Sequence, residues 1–243
     1  MFIAGNWKLN CNIVQGNKLA STILKNIEGK NLNCKIAIFP PFTCLSSISD
    51  VLKDSVISLG GQDCSIHTNG AFTGDISASM LVDVGCKYVI LGHSERRMGY
   101  KESNALIKTK ANVAQNMGLV PIVCVGETAK ERNLGKEKSV VKTQLLNSIP
   151  NNSKGSYIIA YEPVWAIGSG ITPNIDEIKE MFVNIKYILK SSGKNDDIKI
   201  LYGGSVNINN SLEILSCDEV NGALIGGTSL NADEFSSICL DVK

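Results

Sequence analysis

The chain has 243 residues and a formal net charge of +1, without a block of five or six like charges. A general nucleic-acid or membrane-surface binder is therefore disfavoured, because such proteins carry a clustered basic patch. Hydrophobic residues make up 44% and charged residues 19% of the chain, a balance that favours a large buried core over long disordered segments.

Eight short apolar runs bounded by turn-forming residues are the candidate strands. Each run is continuous rather than alternating and rich in β-branched residues, which is typical of parallel strands covered on both faces. In chain order they are Phe2–Gly5, Lys35–Pro41, Val56–Gly61, Tyr88–His93, Leu119–Glu127, Ser156–Pro163, Ile198–Gly204 and Gly222–Gly227.

The segments between these runs show helical spacing. In Ile178–Leu189, for example, apolar residues recur at steps of three and four and form one stripe. Eight strand and helix units without a linker predict an α/β fold in one domain over residues 1–243, a (β/α)₈ barrel of parallel strands with outer helices. An open doubly wound sheet is the alternative, but it would be expected to show GxGxxG after an early strand, and none follows FIAGNWK.

The N-terminal stretch MFIAGNWKLN has no apolar signal region, and no run of 18 apolar residues occurs. We therefore expect a cytoplasmic protein that does not enter a membrane. The eight cysteines are widely spaced and form no CxxC pair, so they are expected to be reduced, mostly buried thiols rather than metal ligands.

Polar residues and paired glycines collect at the carboxyl ends of the runs. A barrel brings all of these ends to one face, where barrel enzymes hold their active sites. The residues in question are Asn6, Lys8, His93, Glu95, Glu127, Glu162, Gly203, Gly204, Ser205, Gly226 and Gly227.

The last two units, YGGSV and IGGTSL, each place paired glycines directly after a strand. Such turns expose backbone N–H groups, and a helix N-terminus adds partial positive charge, so a phosphate is the natural ligand. Either pair alone would be read as a tight turn, whereas two in succession favour a phosphate site.

His93 precedes Ser94, which is a good N-cap residue. The positive end of a helix is expected to lower the pKa of this imidazole, which as a neutral group can donate a hydrogen bond to a carbonyl oxygen. A structural histidine at the strand end is the alternative. His67 lies in a polar loop and receives only a structural interpretation.

Glu162 interrupts an apolar run at a strand end and is interpreted as a general base whose basicity rises when it loses solvent. The alternative is an ion-paired carboxylate. The segment that follows has the composition of a lid. Pro163 and Trp165 make one end stiff and apolar, and Gly168 and Gly170 at the other end permit close approach to an anion. The predicted lid comprises Pro163, Val164, Trp165, Ala166, Ile167, Gly168, Ser169 and Gly170.

Lys8 lies two residues beyond Asn6, so both side chains are expected at the same mouth of the barrel, although a solvated lysine is the commoner case. Glu127 is interpreted mainly as a structural partner. Trp7 and Cys124 are interpreted as packing residues.

The stretches AGNWK, GAFTGDIS, LGHSERR, VCVGE, AYEPVWAIGSG, YGGSV and IGGTSL occur in an order and spacing that resemble the triosephosphate isomerases from end to end. The resemblance implies interconversion of dihydroxyacetone phosphate and glyceraldehyde 3-phosphate through an enediolate, without metal or organic cofactor. It implies that Glu162 is the base and neutral His93 the electrophile, while Lys8 and Asn6 bind substrate and stabilise the negative oxygen, and Glu95 supports them. The implied phosphate ligands are Gly168, Ser205, Gly226 and Gly227.

The resemblance also implies a homodimer joined by the loop Gln62–Asp75, with Gln62, Phe72 and Thr73 at the interface and Thr73 near Asn6 of the neighbouring subunit. Some residues depart from the family's usual pattern. They are Ser169 in the lid, the short far hinge Ile171–Pro173, Thr228 beside the phosphate glycines, and Asp63 and Asp75 in or near the interface.

Two alternative functions are a non-enzymatic binding role and an enzyme of different chemistry, such as another phosphate-binding barrel isomerase or an aldolase. A non-enzymatic phosphate-ligand binder or adhesion protein would be expected to have lost its base or electrophile, and Glu162 and His93 are both present. An aldolase would need a Schiff-base lysine at a strand end, and Lys8 is the one candidate, without supporting groups.

Overall fold

The computed structural model describes residues 1–150, 156–167, 173–193 and 198–242. Eight parallel strands pair in chain order, and the last pairs with the first, so the sheet is a closed barrel. The strands are β1 Phe2–Asn6, β2 Lys35–Phe39, β3 Ile57–Gly61, β4 Cys86–Leu91, β5 Val120–Val125, β6 Ile158–Tyr161, β7 Lys199–Tyr202 and β8 Gly222–Ile225.

Helices cover the outside of the barrel. In the described ranges they are α1 Ile13–Ile27, α2 Leu45–Val51, α3 Ala78–Asp83, α4 Ser94–Gly99, α5 Asn104–Asn116, α6 Ala129–Asn133, α7 Glu137–Ser148, α8 Ile175–Ser191, α9 Ser211–Leu215 and α10 Ala232–Leu240. None of them combines the length and apolar character that a membrane crossing requires.

The barrel prediction is confirmed, and each of the eight predicted runs overlaps one strand. Most strands are shorter than their runs because the terminal glycine, proline and polar residues form the turns that follow. β4 differs at its other end, since it begins at Cys86 rather than Tyr88. The predicted helical stripe lies within α8, whose start carries a capping box between Asn174 and Glu177.

The core has two layers because successive strand residues face opposite sides of the sheet. Phe2 and Ala4 join one buried cluster with residues of the other strands, which fills the barrel interior. Ile3, between them, joins a second cluster that includes Ala20 and Ile23 of α1. Strands buried on both faces explain why the apolar runs are continuous.

All eight cysteines lie in the described ranges and are free thiols; six are buried, and Cys11 and Cys34 are partly exposed. Trp7 and Cys124 are fully buried in the core, as predicted for packing residues.

Gly126 is expected to be a position where a methyl group strongly destabilises the fold. It follows β5, and a Cβ built there would lie 1.6 Å from the carbonyl oxygen of Glu162. Gly126→Ala must therefore separate β5 from the end of β6, and we expect it to lower the free energy of unfolding by about 3 kcal/mol or more.

The measurement is urea unfolding followed by circular dichroism, with Gly99→Ala as the matched control. A Cβ at Gly99, at the end of α4, would have no heavy atom of the rest of the protein within 4 Å, so this variant should lose no stability. Equal midpoints for the two variants would contradict the role of Gly126.

Candidate active site

The carboxyl ends of the strands surround a cavity of about 410 Å³. Because all eight strands are parallel, residues far apart in sequence meet at this end of the barrel. The cavity is lined by Asn6, Lys8, His93, Ile167, Gly203, Gly204, Ser205, Val206, Asn207, Leu224, Gly226, Gly227 and Thr228. Six of the predicted catalytic and substrate-binding residues therefore line one space: Asn6, Lys8, His93, Ser205, Gly226 and Gly227.

Glu162 lies beside the cavity with its carboxylate turned toward the end of β4. The residue is only 2% exposed. Its Oε1 is 2.9 Å from Nε2 of His93, and its Oε2 accepts a hydrogen bond of 2.8 Å from the Ser94 backbone N–H. The proposed base and electrophile thus contact each other directly.

His93 is itself the N-cap residue of α4, so the prediction that Ser94 has this position is wrong. Nδ1 of the imidazole accepts a hydrogen bond of 3.2 Å from the Glu95 backbone N–H. A neutral ring in this arrangement carries its proton on Nε2, the nitrogen that faces Glu162.

The pKa of His93 is raised, so the prediction of a lowered pKa is wrong for this arrangement. Burial acts to lower it, but the carboxylates of Glu162 and Glu95 outweigh burial. The pKa of Glu162 is lowered: burial favours its neutral form, but His93 and the Ser94 N–H outweigh burial. The facing carboxylate of Glu162 therefore decides the direction of the His93 pKa shift.

Lys8 and Asn6 line the cavity at the end of β1. Lys8 is beyond the end of β1, in the left-handed backbone region at φ 53°, and its N–H donates to Oδ1 of Asn6 at 3.0 Å. Its ammonium Nζ is 2.7 Å from Oε1 of Glu95, whose side chain is half exposed. Glu95 therefore borders the cluster and holds the ammonium group rather than lining the cavity.

The two glycine turns lie side by side. The hydroxyl of Thr228 donates to the Val206 carbonyl oxygen at 2.6 Å, which ties the turn after β8 to the turn after β7. A Cβ at Gly226 would lie 3.2 Å from Cε of Lys8, and one at Gly203 would lie 2.9 Å from Cγ of Glu162. Glycine at these positions leaves room for the lysine and the glutamate.

The first part of the predicted lid is held against the barrel by Glu127. Fully buried Glu127 accepts hydrogen bonds from Trp165 Nε1 at 2.8 Å and from the Tyr161 hydroxyl at 3.1 Å. Ser205 donates to the Ala166 carbonyl oxygen at 3.1 Å. The structural interpretation of Glu127 is confirmed, while Gly168, Ser169, Gly170 and the hinge residues Ile171 and Thr172 lie outside the described residues.

The comparisons with known proteins agree over the whole chain. A family model described as triosephosphate isomerase matches residues 1–242. The triosephosphate isomerase of Nitrosococcus oceani is 42% identical over 242 residues, covering 98% of this chain and 96% of that one. That of Xanthobacter flavus is 43% identical over 241 residues, covering 97% and 95%. The chain belongs to the triosephosphate isomerase family. A solved triosephosphate isomerase from Bartonella henselae has a TM-score of 0.89 at 40% identity and covers 99% of this chain and 98% of that one. The chain is accordingly an isomerase.

Several residues of this isomerase site were not predicted. Arg97 donates to the carbonyl oxygens of Gly92 and Cys124, each at 2.8 Å, and so joins the ends of β4 and β5. Leu224 and Asn207 line the cavity. Leu224 lies two residues before Gly226, so the alternation of β8 could have indicated it, whereas no local signal marks Arg97.

The loop predicted to join two isomerase subunits has its own internal contacts. Gln62 donates to the carbonyl oxygens of Lys8 and Phe39, each at 2.8 Å. Phe72 stacks on His67 with the ring centroids 3.5 Å apart. Thr73 is exposed. Gln62 thus fixes the turn that carries Lys8, and its interface role stays a prediction.

Asp63 and Asp75, which the resemblance marks as departures from the usual family pattern, both have partners within this chain. Asp63 is buried between Lys110 Nζ and Arg96, each at 2.8 Å, and Asp75 accepts from the Ser65 hydroxyl at 2.6 Å. Across the residues that the structure describes, no group of three His, Cys, Asp or Glu side chains is arranged to hold a metal ion.

The ligand-free protein is expected to show a His93 pKa above its ordinary value, and Glu162→Gln should move it below that value. Without the carboxylate, burial is the largest remaining influence, and burial lowers the pKa of a histidine. Imidazole NMR across a pH titration measures this shift. The chain has two histidines, so a His67→Gln sample identifies the signals, and an unchanged His93 pKa would contradict the assignment.

Proposed function

We propose that this chain interconverts dihydroxyacetone phosphate and D-glyceraldehyde 3-phosphate, in the reaction class named for its relatives. One observation carries the proposal: a buried carboxylate contacts an imidazole at 2.9 Å beside a cavity whose wall contains two glycine turns. A base, a hydrogen-bond donor and an anion site within one small cavity suit a phosphorylated triose. We further propose that the activity belongs to glycolysis and gluconeogenesis in the cytoplasm.

The chemistry begins with Glu162. The carboxylate leaves His93 and Ser94, turns toward the substrate and takes a proton from the carbon next to the carbonyl group. The electron pair of that C–H bond forms the C=C bond of an enediolate, and negative charge moves to the carbonyl oxygen. A proton then passes from the hydroxyl oxygen of the deprotonated carbon to the former carbonyl oxygen. Glu162 returns its proton to the former carbonyl carbon, where the C=C electron pair forms the new C–H bond, and the deprotonated carbon becomes the new carbonyl carbon. Glu162 begins and ends as a carboxylate.

His93 and Lys8 stabilise the negative oxygen. The Nε2–H that faces Glu162 in the ligand-free protein becomes free to donate to the substrate oxygen, while Lys8 and Asn6 supply a positive charge and an amide. Displacing the Glu162 carboxylate from His93 also removes the main cause of the raised His93 pKa. Substrate binding therefore favours the neutral, donating imidazole.

The turns after β7 and β8 hold the phosphate in this proposal. The N–H groups near Ser205, Gly226 and Gly227 are the donors, and the ammonium of Lys8 adds charge. Gly168 would contribute from the lid. Closure of Pro163–Gly170 would exclude water and so protect the enediolate from losing its phosphate. The rearrangement moves one proton between the two carbons and one between their oxygens and needs no external oxidant, so the proposal includes no cofactor or metal.

The direct test is isomerisation of glyceraldehyde 3-phosphate by the purified chain, coupled to reduction of the dihydroxyacetone phosphate formed. Turnover inhibited competitively by inorganic phosphate is the expected result. A folded protein that binds phosphate but shows no turnover would contradict the isomerase proposal and favour the non-enzymatic binder.

We also infer a homodimer formed through the loops after β1, β3 and β4. This side of the barrel exposes large apolar side chains: Leu9 is 96%, Val14 78%, Met80 53% and Tyr100 72% exposed. Large apolar side chains left exposed in this way are typical of an interface.

The dimer proposal predicts that Thr73→Arg lowers activity by weakening association. Light scattering should give about twice 26.1 kDa for the native chain and a mixture shifted toward monomer for the variant, with kcat reduced by roughly tenfold or more. Val183→Arg, at an exposed apolar position on α8, is the control and should change neither value. A fully active monomer would contradict the proposal.

A further inference from the structure

We propose that Cys34 and Cys239 form a reversible disulfide that joins α10, the last helix, to the N-terminal end of β2. This site lies at the opposite end of the barrel from the active-site cavity, because Cys34 immediately precedes β2. Cys239 belongs to α10. The proposal is independent of the proposed catalytic mechanism.

Cys34 and Cys239 are already in direct contact. The Cys34 thiol donates to the backbone carbonyl oxygen of Cys239, with Sγ 3.3 Å from that oxygen. The segments that carry them are also fixed by other contacts. Asn33 donates to the Val242 carbonyl oxygen at 3.2 Å, and Asn26 donates to Asp233 at 2.9 Å. The cysteines are therefore held together without any bond between them.

The two residues have the unequal properties of a nucleophilic and a resolving cysteine. Cys34 is partly exposed, whereas Cys239 is fully buried. The Cys239 side chain lowers the pKa of Cys34, and the contact with Cys34, together with burial, raises the pKa of Cys239. An oxidant from solvent thus reaches the more easily ionised sulfur first.

The other cysteines lack this combination. Burial raises the pKa of Cys64 and of Cys86 to about 12, and Cys124 is buried with a raised pKa. Cys44 has its sulfur 3.7 Å from the carbonyl oxygen of Cys11, but burial and the neighbouring Cys44 raise the pKa of Cys11. The Cys11–Cys44 pair is accordingly the competing outcome of the test.

The oxidant is the disulfide of a small thiol, such as oxidised glutathione. The Cys34 thiolate attacks one of its sulfurs, breaks its S–S bond and releases one thiolate. Cys239 then loses its proton and attacks the Cys34 sulfur, which forms the internal bond and releases the second thiolate. The two protons from the protein thiols end on the two released thiols, and two electrons pass from the protein to the small disulfide.

The experiment incubates the folded, reduced protein with oxidised glutathione and counts thiols after denaturation. We expect two of the eight thiols to be lost and peptide mapping to join the peptides of Cys34 and Cys239. Because the bond closes a loop of about 200 residues, the melting temperature should rise by roughly 5–10 °C and return after reduction. Isomerisation should change by less than about twofold.

Two variants make the test specific. Cys34→Ser, at a partly exposed position, should fold normally and lose both the bond and the melting shift, whereas Cys217→Ser should keep them. Retention of all eight thiols, a stable glutathione adduct on Cys34, or a bond between Cys11 and Cys44 would each overturn the proposal. A bond that lowered the melting temperature would contradict the claim that the native contacts already accommodate it.

Discussion

Replacing Glu162 by glutamine is expected to lower kcat by about 10³-fold while changing KM by less than about threefold. Glutamine has nearly the same size but cannot accept the proton from carbon. It can still accept the Ser94 N–H bond that the carboxylate accepts at 2.8 Å, so the fold should persist. Glu162→Asp keeps the carboxylate but withdraws it by one methylene group, and should also reduce kcat far more than it raises KM.

Steady-state kinetics of the coupled isomerisation measure both effects. Glu180→Gln is the matched control, since its carboxylate is exposed on α8, where it pairs with Lys138, and full activity is expected. A change in KM alone at Glu162 would show that this carboxylate assists binding rather than proton transfer.

Replacing Lys8 by methionine is expected to lower kcat/KM by about 10²–10⁴-fold and to weaken competitive inhibition by inorganic phosphate. Methionine keeps the unbranched apolar stem and removes the charge. The ammonium group is only partly exposed and lies beside Gly226, where the phosphate is proposed to bind. The loss should appear in both KM and kcat, because substrate and enediolate both carry negative charge near this group.

Lys142→Met tests whether net charge alone matters. Lys142 is exposed on α7, outside the barrel, so the same loss of one positive charge should leave kcat/KM within about twofold of the native value. If Lys8→Met retained native inhibition by phosphate, the assignment of Lys8 to the anion site would be wrong.

The architecture could be predicted from the sequence because each strand has a recognisable local sequence pattern. A buried parallel strand is a continuous apolar run, and the turn residues that follow mark its carboxyl end. That is sufficient to bring Asn6, His93 and Gly226 to one cavity before any contact is known. The strand ends were less well predicted, since runs such as Leu119–Glu127 include residues that belong to the turns.

The electrostatics of the site could not be predicted in the same way. The Ser94–Glu162 hydrogen bond joins residues 68 positions apart, and no local pattern indicates how the Glu162 side chain turns. The prediction for His93 used only the neighbouring helix end, whereas the facing carboxylate reverses the direction of the pKa shift. The Arg97 contacts that join β4 to β5 are likewise tertiary.

The pairing of β1 with β8 has a consequence for biosynthesis. The strands whose pairing closes the barrel are the first, which begins at Phe2, and the last, which ends at Ile225. At about 5–20 residues per second, a ribosome needs on the order of 10–45 s to extend the chain from Phe2 to Ile225. During that time the growing sheet keeps two unpaired edges, which are the surfaces most prone to wrong association. Lys8 emerges among the first residues and Gly226 among the last, so a nascent chain has no complete anion site until its synthesis is nearly finished.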